Sequence, residues 1–418
     1  MLLLGHWLLA SDLHVEPGPG AAAPAHYQQD TNWALLASTI AAMRKADPNP
    51  QVVMLSGDFL AHHFPANAAL AQRTMARIAQ MFDKAFPRAQ FVIVPGNNDD
   101  PCGDYRATPG TPYFASIARI WAPLVNRNGA APQFERDFGQ YGWYAANVPG
   151  TRTRVLALDS VYWSIVYRSC GNIHPNAPQR QLQWLAHSID ALPAHSRAVL
   201  AMHIPPGVDA SSTMLTHWLL VVPFWQGRDA SAFVRETRAR SARIAFAVAG
   251  HMHRNDFRLF GDVPMLLAPA VSPIYKNNPS FLRLDVASDG TLRDYTGFYY
   301  DPSAQTWQAE TSFDQAFGAS NFDAAALRSI HERLASDGEL RHRWSDMMMS
   351  NSRYVEIDAT TWRTYWCAQT GLEATFRTCA GVERRTLLLP IAGGVAVVVL
   401  AGLVALVIVR LRRGRRRA

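Results

Sequence analysis

Seven side chains able to hold a metal ion recur in five short clusters: Asp12-x-His14, Asp58, Asn97, His203 and His251-x-His253. Each cluster closes an apolar run, namely HWLLASDLH (6–14), QVVMLSGD (51–58), FVIVPGNND (91–99), AVLAMHIPP (198–206) and IAFAVAGHMH (244–253). Taken singly, a DxH or HxH is an ordinary surface or core pattern, and Gly57-Asp58 and Gly96-Asn97 are ordinary turn pairs. Their joint repetition after apolar runs points to a dinuclear site. Two divalent ions about 3.5–4 Å apart clamp a phosphoryl group and generate hydroxide near neutral pH. A carboxylate such as Asp58 can bridge two ions, which a neutral imidazole cannot. Histidines and an amide oxygen complete the set without adding negative charge, so an anionic phosphate is not repelled. The mixed N/O donors suit Zn, Fe, Mn or Co and do not choose among them. Glycines before Asp58, Asn97 and His251 are expected to let the backbone turn sharply.

Bringing these clusters together requires adjacent strands that open at one edge. The five runs, with VLALDS (155–160), read as fully buried strands. Asn32 to Lys45 and Ala66 to Phe86 carry apolar residues at helical spacing between the early runs. Strands alternating with helices predict an α/β layered sandwich with its chemistry at the carboxyl ends of the strands. Further on, MLLAPAVSP (265–273) and FLRLDVASDGTLRDYTGFYYD (281–301) read as strands, with Asp289-Gly290 as a hairpin turn. Residues 320–350 read as helical, with Leu327, Ile330 and Leu334 on one face and Asp323 near the start. The Trp-rich stretch TMLTHWLLVVPFW (213–225) reads either as a lid or lipid-facing patch or as an ordinary buried element.

The chain has 418 residues, 17% charged and 49% hydrophobic, which excludes a disordered chain or a collagen-like repeat. The formal charge is +7, and the six arginines of RLRRGRRR (410–417) account for all but one of those charges. The body is nearly neutral, so charge gives no case for nucleic-acid binding. Residues 387–409 form a 23-residue run without a charge, about 34 Å as a helix and enough to span a hydrocarbon core. The arginines behind it place the tail in the cytoplasm and residues 1–386 outside. MLLLGHWLLA (1–10) reads as the first core strand rather than an export signal, so the expectation is a segment upstream of Met1. Cys367 and Cys379 suit a local disulfide, and Cys102 and Cys170 could form a second.

The order DxH, GD, GN-x-D, H, GHxH resembles the calcineurin-like metallophosphoesterase superfamily. That resemblance implies a four-layer α/β/β/α sandwich with two divalent metal ions. Asp12, His14 and His253 would hold one, Asn97, His203 and His251 the other, and Asp58 would bridge. GDFLAHH (57–63), HIPPG (203–207) and APAVSPIYKNNPSFLRLDV (268–286) are similar to the acid sphingomyelinase-like branch. Where the superfamily commonly has GNHD or GNHE, whose histidine contacts the scissile phosphate, this chain has GNND, like membrane-anchored endopolyphosphatases. Asn98 could then donate a hydrogen bond to phosphate but not deliver a proton, leaving His62 as the candidate acid, with His63 a solvated neighbour. The second reading of His62 is a structural contact to Asp58.

The resulting expectation is a membrane-anchored phosphodiesterase acting by direct attack of metal-bound hydroxide, with no Ser or Cys nucleophile. Its substrates would be phosphorylated small molecules, lipids or polyphosphate. The neutral body disfavours polyphosphate, although Arg254 and Arg258 could supply a local basic track. An endopolyphosphatase or nucleotide phosphohydrolase is the alternative activity, and a non-catalytic metal-binding sensor tethered at the membrane the alternative class. The expected divisions are 1–310 (catalytic), 311–386 (helical subdomain and stalk), 387–409 (transmembrane helix) and 410–418 (basic tail). The sequence does not specify an oligomeric state.

Overall fold

The computed structural model describes residues 4–19, 23–170, 176–355 and 357–382. The apolar run 387–409 and the basic tail lie outside the described residues. Among the described residues no helix is long and apolar enough to cross a membrane.

Two six-stranded sheets carry the architecture. Their strands are β1 (Leu4–Ala10), β2 (Val52–Leu55), β3 (Gln90–Ile93), β4 (Tyr144–Asn147), β5 (Thr153–Ala157), β6 (Arg197–Ala201), β7 (Ile244–Ala249), β8 (Asp256–Phe260), β9 (Val263–Leu267), β10 (Ser280–Ala287), β11 (Leu292–Asp301) and β12 (Thr306–Ala309). The first sheet has the order β12-β11-β10-β1-β2-β3 and the second β8-β9-β7-β6-β5-β4. All six apolar runs singled out above form strands, and the 281–301 segment forms the β10–β11 hairpin around Asp289-Gly290.

Register explains why distant clusters meet. β1, β2 and β3 are parallel, with Ala10 opposite Leu55 and Leu55 opposite Ile93. Their carboxyl ends are therefore level, and the loops bearing Asp12, Asp58 and Asn97 leave side by side. In the second sheet β6 and β7 are also parallel, with Ala201 opposite Val248, so His203 and His251 emerge together. A parallel bridge between Ser11 and Ala270 joins the loop after β1 to the one after β9.

The helices are amphipathic covers. α1 (Trp33–Ala46), α2 (Ala68–Ala85) and α3 (Pro112–Val125) lie on the first sheet, and Asn32 and Asn67 cap the first two by accepting from Leu35 N and Leu70 N. These caps set the starts at 33 and 68. The short α4 (Phe134–Tyr141) packs on α3, while α5 (Ala177–Asp190), α6 (Ala210–Leu215) and α7 (Gly227–Ala239) follow along the second half. Leu182, Leu185 and Ile189 of α5 and Phe233 of α7 share an apolar cluster with Leu156, Leu200 and Ile244 of the second sheet. The sheets face each other, as Trp7 and Phe246 show with ring centroids 6.1 Å apart. The layers thus run helices, sheet, sheet, helices.

The stretch 320–350 divides into α9 (Ala324–Leu334) and α10 (Gly338–Met348), preceded by α8 (Phe313–Phe317). Asp337 accepts from Leu340 N at 2.9 Å and so begins a new helix where the apolar period alone suggested one. Together with α11 (Trp362–Thr370) and α12 (Glu373–Ala380), these helices are tied to β8. Trp344 Nε1 and Gln369 Nε2 donate to Asp256 Oδ1 at 2.9 and 3.1 Å. Their Leu327, Ile330, Trp344 and Phe376 belong to the same apolar cluster as the first sheet. Disulfides join Cys102 to Cys170 and Cys367 to Cys379.

Glu310, directly after β12, is buried with Asn255 and Asn351 donating to its two oxygens at 3.4 Å each. Burial pushes its carboxyl up to about 8, opposed by the Asn255 bond. The unfolded chain releases this proton at ordinary carboxylate pH while the folded chain keeps it, so stability falls as pH rises from about 5 towards 8. Glu310→Gln should therefore unfold like the parent near pH 5 and at a clearly higher Tm at pH 8, read by calorimetry. Equal Tm values at pH 8 would contradict the assignment.

Candidate metal centre

The seven predicted side chains converge at the carboxyl edge of the two sheets. Asp58 Oδ2 lies 3.4 Å from His14 Nε2 and 3.2 Å from His203 Nε2. On one side, Asp12 Oδ1 is 3.3 Å from His253 Nε2, which is 3.2 Å from His14 Nε2. On the other, Asn97 Oδ1 is 3.1 Å from His203 Nε2, and His251 stands against His203 with ring centroids 5.2 Å apart. Donor atoms about 2.1 Å from a common ion lie roughly 3.0–3.4 Å from each other, which is the spacing seen. Two imidazole nitrogens, His14 Nε2 and His253 Nε2, facing each other at 3.2 Å further fit a cation among these groups.

The backbone is bent to aim these donors. Asp12, His14, Asp58, His251 and His253 all have positive φ, from 42° to 70°. Left-handed backbone costs about 1–2 kcal/mol per non-glycine residue and concentrates at functional sites. The expected glycine turns hold at Gly57, whose φ is 93°. Gly96 is required for a different reason, close approach: a Cβ there would overlap the Asp58 backbone nitrogen and Oδ1. Gly96→Ala is expected to cost more than about 100-fold in phosphodiester turnover and to bind less metal, checked by steady-state assay and elemental analysis.

Second contacts fix the rings. His14 Nδ1 donates to Leu60 O at 3.1 Å and His203 Nδ1 to Ser56 O at 2.8 Å. A carbonyl can only accept, so each ring, when neutral, carries its lone pair on the Nε2 that faces the centre. Asn97 Nδ2 donates to Asp104 Oδ1 at 2.7 Å, which turns the amide oxygen inward. Asp99 accepts from the backbone N–H groups of Gly96, Asp58, Phe59 and Leu60 at 2.7–3.2 Å, lashing the GD loop to the GN loop.

The electrostatics favour a cation between the carboxylates. Burial opposes ionisation of Asp12 and Asp58, yet nearby histidines hold both well below the usual carboxylate range. For His203, burial is outweighed by Asp58 and Asp12, and the imidazole rises to about 10. His251 falls to about 3 through burial and the adjacent His203. His253 falls to about 4, where burial outweighs the pull of Asp12. Burial, then the Asp58 charge, pushes the Asp99 carboxyl up to about 7.

His62 sits at the rim, stacked on His14 with centroids 3.9 Å apart. Its partner is Asp30 rather than Asp58: Nδ1 is 2.9 Å from Asp30 Oδ1, and its backbone N donates to Asp30 Oδ2 at 2.8 Å. Tyr275 Oη reaches His62 Nε2 at 3.4 Å, and Tyr105 Oη reaches His251 Nε2 at the same distance. Asn98, expected to face phosphate, spends its amide on Asp58, with Nδ2 donating to Oδ2 and backbone N to Oδ1, both at 2.8 Å. His63 is exposed. Arg254 and Arg258 are both buried and supply no exposed basic track; Arg254 Nη1 donates to His253 O at 2.9 Å. Asp30, Asp104, Tyr105 and Tyr275 carried no signal in the sequence, whereas Asp99 is the acid of GN-x-D and could have been singled out.

The calcineurin-like phosphoesterase family model matches residues 6–255, over half of the chain. The chain belongs to that family. It is 24% identical over 358 residues to acid sphingomyelinase-like phosphodiesterase 3b of Homo sapiens, covering 79% of this chain and 75% of that protein. It is 23% identical over 341 residues to sphingomyelinase phosphodiesterase D of Dictyostelium discoideum, covering 77% and 74%. Among solved structures, GAP50, the anchor in the inner membrane complex of Plasmodium, matches with a TM-score of 0.44 at 8% identity, covering 78% of this chain and 93% of that one. The chain is a phosphoester hydrolase of a family that uses divalent metals, and its His and Asp groups are positioned to hold them.

Proposed function

We propose that this calcineurin-like phosphoesterase is a dinuclear phosphodiesterase of sphingomyelin-like lipids, anchored in a membrane by residues 387–409. The observation that carries the dinuclear reading is the place of Asp58 Oδ2 between His14 Nε2 and His203 Nε2. Asp12, His14 and His253 would hold one ion, Asn97, His203 and His251 the other, and Asp58 would bridge. When bound, the ions supply Lewis acidity, neutralising phosphate charge and making water a nucleophile at neutral pH.

The protein's own groups do the rest. Asp99 and Asp104 hold the loops that aim the donors, and Asn98 fixes the orientation of Asp58. His62, steadied by Asp30, is placed at the rim to hand a proton to the departing alkoxide. The substrate class is supported by the relatives named as sphingomyelinase-like phosphodiesterases. Burial of Arg254 and Arg258 removes the local support for a polyphosphate track. The two disulfides support an oxidising compartment for the domain, in keeping with a catalytic body outside and a basic tail inside.

The test is to purify the full chain in detergent, count bound metal, and assay bis-p-nitrophenyl phosphate, sphingomyelin, nucleoside triphosphates and polyphosphate. Two metals per chain with preferential turnover of sphingomyelin are expected. Preference for polyphosphate or nucleotides would overturn the lipid assignment, and a single metal with full activity the dinuclear one.

A further inference from the structure

The turn after α6 exposes apolar side chains that the fold does not cover. Leu215 is 79% exposed, Leu220 62% and Leu219 42%. His217 and Trp218, at the tip, both have positive φ, at 51° and 58°. Trp218 turns inward instead, with Nε1 3.4 Å from Thr364 Oγ1. The neighbouring turn adds exposed Ile165 and Val166, with Ile165 N donating to Phe224 O at 3.0 Å.

Two further observations say what covers this surface. First, Trp218 lines a cleft of about 200 Å³ together with Thr360, Arg363, Thr364, Gly381 and Val382. Val382 is the last described residue. Only four residues separate it from the apolar run that starts at Leu387, a leash that spans at most roughly 17 Å. Second, the exposed turn leads straight into the catalytic edge. Val222 pairs with Asp209 just after the HIPPG segment, and the Phe224 ring stands 5.5 Å from His251.

We propose that the 215–220 turn is a membrane-contacting surface, with Leu215, Leu219 and Leu220 entering the interface of the lipid bilayer that receives residues 387–409. The inference rests on the anchoring reading above. It adds that the anchor is not a passive tether. The leash and the turn together set the catalytic edge against the bilayer, so that a lipid phosphodiester reaches the metal centre without leaving its leaflet. Three leucines contribute apolar area in the manner of interfacial anchors.

The experiment uses the full chain reconstituted into phosphatidylcholine vesicles containing a phosphatidylcholine with a diazirine on its acyl chain, followed by peptide mapping after illumination. Adducts on both 215–220 and 387–409 are expected. Adducts on 387–409 alone would overturn this inference and leave the anchor standing. Adducts on 215–220 alone would support the surface and overturn the anchor. Absence of adducts on 215–220 together with a dimeric mass for the full chain in detergent, read by analytical ultracentrifugation, would assign the turn to a second copy of the chain and overturn the proposal. As an independent readout, the combined Leu215→Ser, Leu219→Ser and Leu220→Ser variant should lose about tenfold in turnover of vesicle sphingomyelin with bis-p-nitrophenyl phosphate turnover unchanged. Equal losses on both substrates would overturn the inference.

Discussion

Asp58→Ala should reduce kcat/KM on bis-p-nitrophenyl phosphate by at least about 10³-fold and lower bound metal from two per chain to one or none. Asp58 is 2% exposed, and its Oδ2 is the atom shared between the His14 and His203 sides of the centre. Without it, neither side keeps a common carboxylate, and Asn98 loses both of its hydrogen-bond acceptors. A loss of about 4 kcal/mol of transition-state stabilisation corresponds to a factor near 10³, within what Lewis-acid stabilisation by metal contributes. Asp58→Asn is the control for folding. It preserves shape but supplies an amide instead of a bridging carboxylate, and should fall by a similar factor while its circular dichroism matches the parent. Activity within tenfold of the parent in a folded Asp58→Asn protein would remove the dinuclear mechanism. Elemental analysis separates loss of metal from loss of chemistry.

The second large effect belongs to His62 and depends on the leaving group. His62→Ala should cut turnover of sphingomyelin, whose departing alkoxide needs a proton, by about 10²–10³-fold. Bis-p-nitrophenyl phosphate departs as a stable phenolate and should lose less than about tenfold. Asp30→Asn should follow the same asymmetry at smaller size, because the amide still fits beside the imidazole but no longer supplies a carboxylate to Nδ1. The stacking of His62 on His14 is the competing explanation, since removing a ring beside the centre could disturb it. That disturbance would depress both substrates equally. Comparing the two ratios therefore decides between proton delivery and simple support.

The convergence of the seven candidate donors was legible because each follows a buried strand whose apolar run is visible in the chain, and because a phosphate-handling centre restricts the donor types. The β10–β11 hairpin was legible for a similar local reason, an Asp-Gly pair between alternating runs. The break at Asp337 was harder, because one helix and two capped helices share the same apolar period. The reading of Asn98 went further than its spacing allowed. Adjacent positions in a loop point in different directions, and only the register of β2 against β3 turns that amide onto Asp58 rather than towards solvent. Arg254 and Arg258 misled in the same way, since a charge, whether in a loop (Arg254) or on a strand (Arg258), does not reveal which way its side chain turns.

What the sequence by itself determined is therefore the inventory: which side chains can bind metal, which strands carry them, and that an apolar run and six arginines close the chain. Tertiary structure decided the assembly. Parallel register levelled the strand ends, left-handed backbone at five of the candidate donor positions turned those side chains to the centre, and Asp30 and Asp104 were recruited from positions with no shared spacing. The physical reason is that hydrophobic periodicity is a local property of the chain. The direction of a buried polar side chain is set by neighbours tens to hundreds of residues away, because a buried polar group must find a partner wherever the packed strands and loops provide one.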